Sequence, residues 1–325
     1  MPRSAEHTTA NRTRRAALLL AASGGLLATT GLPAAAAPEG DDVIVLPGAS
    51  SAEGIAEGHG DTFYAGDLFG GDIFRGDLGE RTAELFIDAP DGRMAVGMFA
   101  DLRHDLLFVA GGPLPGTPDA PAGRAYVYDL HTGETVAEYD LGEAGGSFVN
   151  DVTVTPEGAW LTDSRQPQLY FVPVGEDGEP GEAQTLELTG GAAELPADFN
   201  LNGIAATHDG ETLVVAHAGT GLLYAVDPET GASTEITGVS VPNVDGIQLE
   251  GDDLYAVQNE LNQVVRVRLD GNLTSGSVEE TITDEDFQTP TTLIVADDVL
   301  AVVNAKFDTG IPPTAEQYEV VLVDR

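Results

Sequence analysis

The chain has 325 residues, of which 54 are acidic and 14 basic, giving a formal net charge of −40, and it contains no cysteine. A surface of that sign repels nucleic acid and anionic membranes, so neither is expected as a partner. The absence of cysteine excludes thiol chemistry, disulfides and Cys-ligated metals.

The first residues read as an address rather than as fold. Arg12, Arg14 and Arg15 precede an apolar run from Ala16 to Leu32, followed by Pro33-Ala34-Ala35-Ala36-Ala37-Pro38. A charged n-region, an apolar h-region and a small-residue cleavage site make residues 1–36 a signal peptide, with cleavage after Ala36. The Arg14-Arg15 pair fits a twin-arginine signal as well as an ordinary secretory one, and both routes stay open. Ser23, Gly24 and Gly25 break the run, which argues against a retained membrane span. Cleavage leaves residues 37–325, read as a single domain of a secreted monomer. That mature chain carries ten basic residues against 53 acidic ones, and Lys306 is its single lysine.

From Asp41 onward the pattern is short strands separated by Gly, Asp and Pro turns. Val43 to Leu46 is a strand. Six units of roughly 40 to 50 residues follow, the period of a β-propeller blade. The same phrase recurs at the head of four of them. Glu53-Gly54-Ile55-Ala56 turns near Gly58-His59-Gly60 and returns as Phe63-Tyr64-Ala65. Asn150-Asp151-Val152 turns at Pro156-Glu157-Gly158 and returns through Trp160 to Asp163. Asn202-Gly203-Ile204 turns at His208-Asp209-Gly210, and Asp245-Gly246-Ile247 at Glu250-Gly251-Asp252. Period-two alternation makes these strands and not helices. The last unit supplies three clear strands, so Val43 to Leu46 is expected to complete it. The expected fold is therefore all-β, a six-bladed β-propeller closed by pairing of the N-terminal strand with the last blade.

The innermost strand of each blade lines the central channel, so residues at one phase of the repeat share one ring around its mouth. Glu53, Asn150, Asn202 and Asp245 hold that phase in units one, three, four and five. Unit two places Val96 or a neighbour there, and unit six Thr291 or Thr292. Taken singly, Asn or Asp before Gly is an ordinary turn residue. Four oxygen donors at one phase, two charged and two neutral, without His or Cys, describe a site for one hard divalent cation, calcium before magnesium. Calcium takes six to eight oxygens, so about half of its shell would be left for water or substrate. His217 ends a second strand and is expected at the mouth as a substrate-binding residue or proton shuttle. Ser147 and Ser164 lack the Gly-x-Ser-x-Gly context of a serine hydrolase.

These motifs resemble those of the SMP-30/gluconolactonase/LRE-like propellers, which are related to the calcium-dependent lactonases and phosphotriesterases. Glu53-Gly54-Ile55 is similar to the family's opening Glu-Gly motif, Asn150-Asp151-Val152 to its Asn-Asp blade, Asn202-Gly203-Ile204 to its Asn-Gly blade and Asp245-Gly246-Ile247 to its Asp-Gly blade. The resemblance implies a calcium held by Glu53, Asn202 and Asp245. It makes Asn150 a metal or substrate-orienting ligand and Asp245 the general base, or the nucleophile in the phosphotriesterase-like branch. Ile55 stands where the family commonly has proline. Unit two offers apolar Val96 and Met98 where family enzymes usually place polar substrate-binding groups. Two functions follow as expectations: a calcium-dependent hydrolase of lactones or related esters, or a non-catalytic binding propeller with a structural calcium. Either takes its small-molecule ligand at the channel mouth.

Overall fold

The structure is a computed structural model that describes residues 42–114, 123–142 and 146–325. The expected signal peptide and most of the Pro/Gly-rich loop between Gly111 and Gly123 lie outside the described residues. Residues 43–324 form six antiparallel sheets, taken here as blades I to VI. Their innermost strands are Ile55–Glu57, Arg93–Asp101, Val149–Thr155, Leu201–Ala206, Val244–Glu250 and Pro290–Ala296. Blade VI takes its outermost strand from the other end of the chain: Val43–Val45 pairs with Glu319–Asp324, Ile44 opposite Val320. The expected propeller and its closure are both present. One strand was not anticipated. Thr189–Gly190 adds a parallel fifth strand to the outer edge of blade IV, against Ala232–Glu235.

Most of the apolar side chains are buried between blades. Six clusters lie at the six junctions of the ring, one per neighbouring pair. The period of two in each strand explains this. In Gly123–Asp129, Tyr126 and Tyr128 face blade I while Ala125 and Val127 face blade III. In Leu213–His217, Leu213 and Val215 face blade III, and Val214 and Ala216 face blade V. A strand buried on both faces loses its polar alternation and reads as a continuous apolar run.

The closing strand is held by the same packing. Ile44 is fully buried in the cluster between blades VI and I, with Phe63, Phe74 and Val320. Ile44→Ala is expected to lower stability by about 2–5 kcal/mol, through lost burial and the cavity left behind. Leu85→Ala, on an exposed outer strand, should change it by less than about 0.5 kcal/mol. Urea denaturation of the two variants checks this.

Candidate metal centre at the channel mouth

Five of the six inner strands carry a register irregularity at the same point. It falls between Ala95 and Met98, Val149 and Val152, Leu201 and Ile204, Val244 and Ile247, and Pro290 and Leu293. The residues skipped are Val96-Gly97, Asn150-Asp151, Asn202-Gly203, Asp245-Gly246 and Thr291-Thr292. Blade I reaches the same phase at Glu53-Gly54, where Glu53 N donates to Gly66 O and Gly66 N to Gly54 O. A bulge frees a residue from its ladder and re-aims its side chain. Here it does so five times around one axis, and blade I brings Glu53 to the same phase.

The second residue of each pair governs how closely the blades meet. A Cβ on Gly54 would lie 2.1 Å from the Val96 carbonyl oxygen, and one on Gly203 would lie 2.5 Å from that of Asp245. Glycine is required there because the next blade's backbone occupies the space. Where blade III has Asp151 instead, its carboxylate ties the junction: it accepts from Val152 N at 2.8 Å and, across to blade IV, from Ile204 N at 3.3 Å. In blade VI the hydroxyls of Thr291 and Thr292 both donate to the Glu53 carbonyl of blade I, at 2.8 and 2.7 Å. Immediately below, Ile55, Met98, Val152, Ile204, Ile247 and Leu293, one from each blade, line the channel. An oxygen ring therefore sits above a channel of mixed lining, in which Glu57, Asp151 and Gln248 stand among these apolar side chains.

The first residues carry the chemistry. Glu53, Asn150 and Asp245 are buried and Asn202 is half-buried. Asn150 Nδ2 donates to Ser164 Oγ at 2.9 Å, and Ser164 in turn donates to Leu201 O at 2.6 Å. That chain of donors holds the Asn150 amide so that Oδ1 faces away from Ser164. Asn259 Nδ2 donates to Asp245 Oδ2 at 2.9 Å. Three oxygens then have no hydrogen-bond partner: Glu53 Oε2, Asn150 Oδ1 and Asn202 Oδ1. Buried polar atoms are almost always paired, and each exception calls for an explanation.

The ring's charge is equally unbalanced. Burial pushes the Glu53 carboxyl well above its usual range, and the negative charges of Asp245 and Asp151 push it further. Burial lifts Asp245 to about 7, opposed by hydrogen bonds from Asn259 and Asn202. Burial also lifts Asp151 to about 7, with its two backbone donors opposing and Asp245 adding to the rise. Among the described residues no three His, Cys, Asp or Glu side chains are disposed around one metal position. A cation at the mouth would have to draw on the amide oxygens. Glu53, Asp245, Asn150 and Asn202 are such a set, with carboxylate and amide oxygens only, and they fit a hard divalent cation rather than zinc or copper.

His217 does not join them. It is fully buried at the end of its strand, its Nε2 lies 2.7 Å from the Glu194 carbonyl, and its Nδ1 accepts from Thr220 N at 3.3 Å. Its ring stands edge-on to Tyr224. Both nitrogens serve the loop between Gly191 and Asn200 and the turn after its own strand, so the expectation of a ligand-facing histidine is corrected. Asp151 is the residue that motif reading passed over. The signal was present: it is an acid at the second ring position, which four other blades give to glycine.

No family model matches the chain, and no curated protein sequence does either. Solved structures do. The allergen Mala s 1 of Malassezia sympodialis superposes with a TM-score of 0.63 at 13% identity, over 87% of this chain and 95% of that one. Luciferin-regenerating enzyme gives 0.57 at 12% identity, over 85% and 92%. A chain of the nidogen/laminin complex gives 0.55 at 15%, over 81% and 89%. The likeness is one of fold. Enzymes and non-enzymes share it, so function has to be argued from the site.

The raised carboxyls give a pH dependence of defined sign. A group whose folded pKa exceeds its unfolded value, about 3.9 for Asp, costs nothing below that value and destabilises as pH rises through the folded pKa. The cation-free protein should therefore lose stability between about pH 4 and pH 7. Asp245→Asn, which keeps an acceptor for Asn259, should flatten this loss. Melting temperatures of chelator-treated protein and variant across that range check it.

Proposed function

We propose that the chain is a calcium-dependent hydrolase of lactones or related esters, exported and of the SMP-30/gluconolactonase/LRE-like type. The observation that carries the reading is the trio of unpartnered buried oxygens on Glu53, Asn150 and Asn202 beside Asp245. Glu53 and Asp245 would neutralise a divalent charge, and the two amides would complete one side of its shell. When bound, such a cation polarises an ester or lactone carbonyl. Asp245, oriented by Asn259, would take the proton of the attacking water. Asn150, oriented by Ser164, would position the substrate. Burial of Glu53, Asn150 and Asp245 lowers the local polarity, which strengthens the electrostatics at the ring. Luciferin-regenerating enzyme, among the structural neighbours, shows that this fold can carry an enzyme.

A second reading, a non-catalytic binding propeller with calcium as a structural ion, draws on one observation. Next to Val96 the mouth is apolar, built from Leu68, Met94, Phe69, Leu114, Phe148 and Phe307.

Calorimetric titration of chelator-treated mature protein with calcium should give one-to-one binding, lost in Asp245→Ala and Glu53→Ala. Hydrolysis across a lactone and ester panel should disappear in the same two variants while their circular dichroism stays that of wild type. Full activity in either variant would overturn the catalytic reading. Absent or multi-site binding common to all three proteins would overturn the metal centre.

A further inference from the structure

Ten arginine and lysine side chains fall within the described residues, and nine of them lie within ion-pair distance of a carboxylate. Arg165 is the exception. In so acidic a protein a base without a carboxylate needs a reason, and the local structure supplies it. The nearest acid in sequence, Asp163, is fully buried and already committed. Its Oδ1 accepts from the backbone N–H groups of Phe148, Arg165 and Gln166, and its Oδ2 accepts from Tyr170 Oη. The Arg165 guanidinium is exposed instead. It rests over two aromatic rings, 5.2 Å from the centroid of Phe199 and 5.8 Å from that of Phe148. Those rings pack edge to face at 5.1 Å.

The place of this trio in the fold matters. Phe148 precedes ring residue Asn150 by two positions, and Phe199 precedes Asn202 by three. Arg165 follows Ser164, whose hydroxyl orients Asn150. The trio is therefore built on the segments that lead into the two neutral members of the ring, whose amide oxygens are unpartnered. Cation–π stacking fixes the plane of an arginine while leaving its N–H edge free to donate. A planar fork with free donors matches a carboxylate.

We propose that Arg165, Phe148 and Phe199 form a rim subsite for the anionic end of the ligand, which is a small molecule with a carboxylate set on an apolar or aromatic body. This rests on the proposed function only for what happens at the other end of that molecule. The overall negative field does not forbid it, since charges beyond about 8 Å are screened at physiological salt and, among the described residues, no carboxylate lies within ion-pair distance of Arg165.

The test uses the mature, calcium-loaded protein with phenylacetate and its neutral counterpart phenylacetamide as probes, read by ligand-observed NMR titration. Wild type should hold phenylacetate about tenfold or more tighter than the amide. Arg165→Met should erase that difference, and Arg165→Lys should keep part of it. Equal affinity for both probes, no binding of either, or phenylacetate binding unchanged in Arg165→Met would overturn the subsite. Phenylacetate binding that survives in Arg165→Met but vanishes with chelator would overturn it too, since the carboxylate would then sit on the ring cation. A lowered unfolding midpoint in Arg165→Met with probe binding intact would make the residue a clamp on two rings and nothing more. A second arm compares hydrolysis of an ester bearing a free carboxylate with its methyl ester. If neither is turned over, the hydrolase reading fails, and the phenylacetate titration still decides the subsite.

Discussion

A β-carbon on Gly54 would sit 2.1 Å from the carbonyl oxygen of Val96, and comparable contacts recur around the ring. The inner strands meet backbone to backbone at one level, the level of the bulges. Six strands cannot converge so tightly in regular register, because a normal ladder would place side chains where the neighbouring main chain lies. The bulges and the glycines are two halves of one solution. The bulge releases a pair of residues, glycine lets the second of the pair touch the next blade, and the first is left pointing at the axis. The convergence of Glu53, Asn150, Asn202 and Asp245 is thus a by-product of closing the ring. Their chemistry is what the sequence adds.

That addition is costly to the bare protein. Three carboxylates share a region from which water is largely excluded, and the basic side chains are engaged elsewhere or stand on the rim. Asn259 and the backbone donors of Val152 and Ile204 compensate Asp245 and Asp151 in part, while Glu53 keeps an oxygen with no partner. Groups disposed in this way are poised either to take up protons or to take up a cation. The rim differs in kind. On the side of blades III and IV it presents the rings of Phe148 and Phe199 under the Arg165 guanidinium, and Phe148 continues into the apolar cluster around Val96, so a charged tip adjoins an apolar surface.

The fold and the shared phase of the inner strands were legible because the repeat is a physical necessity: each blade must bury both faces, which writes a period, and each must enter the axis the same way, which writes a phase. His217 was misjudged because a strand end next to the mouth can face either the channel or the blade interior. One residue of offset decides between them. Its partner Glu194 lies in an irregular loop that no periodicity describes. Asp151 was passed over because it follows Asn150, and alternation would send the second of two neighbours to the opposite face. A bulge suspends that rule. The strand Thr189–Gly190 has only two residues, too few to carry a pattern. Arg165 had no sequence signal at all, because its significance is the absence of a neighbour, which only three dimensions reveal.

The pairing of Val43–Val45 with Glu319–Asp324 joins residues more than 270 positions apart, which makes it the most non-local contact in the sheet system. Loop-closure entropy opposes such contacts until the rest of the chain has condensed between them. In a chain synthesised from its N-terminus, the first strand of the propeller has no partner until the last few residues are free. Blades I to V can assemble in the order they appear, and blade VI cannot. Until those last residues are free, Val43–Val45 is a strand without its native partner, and an unpaired strand is one prone to join another copy.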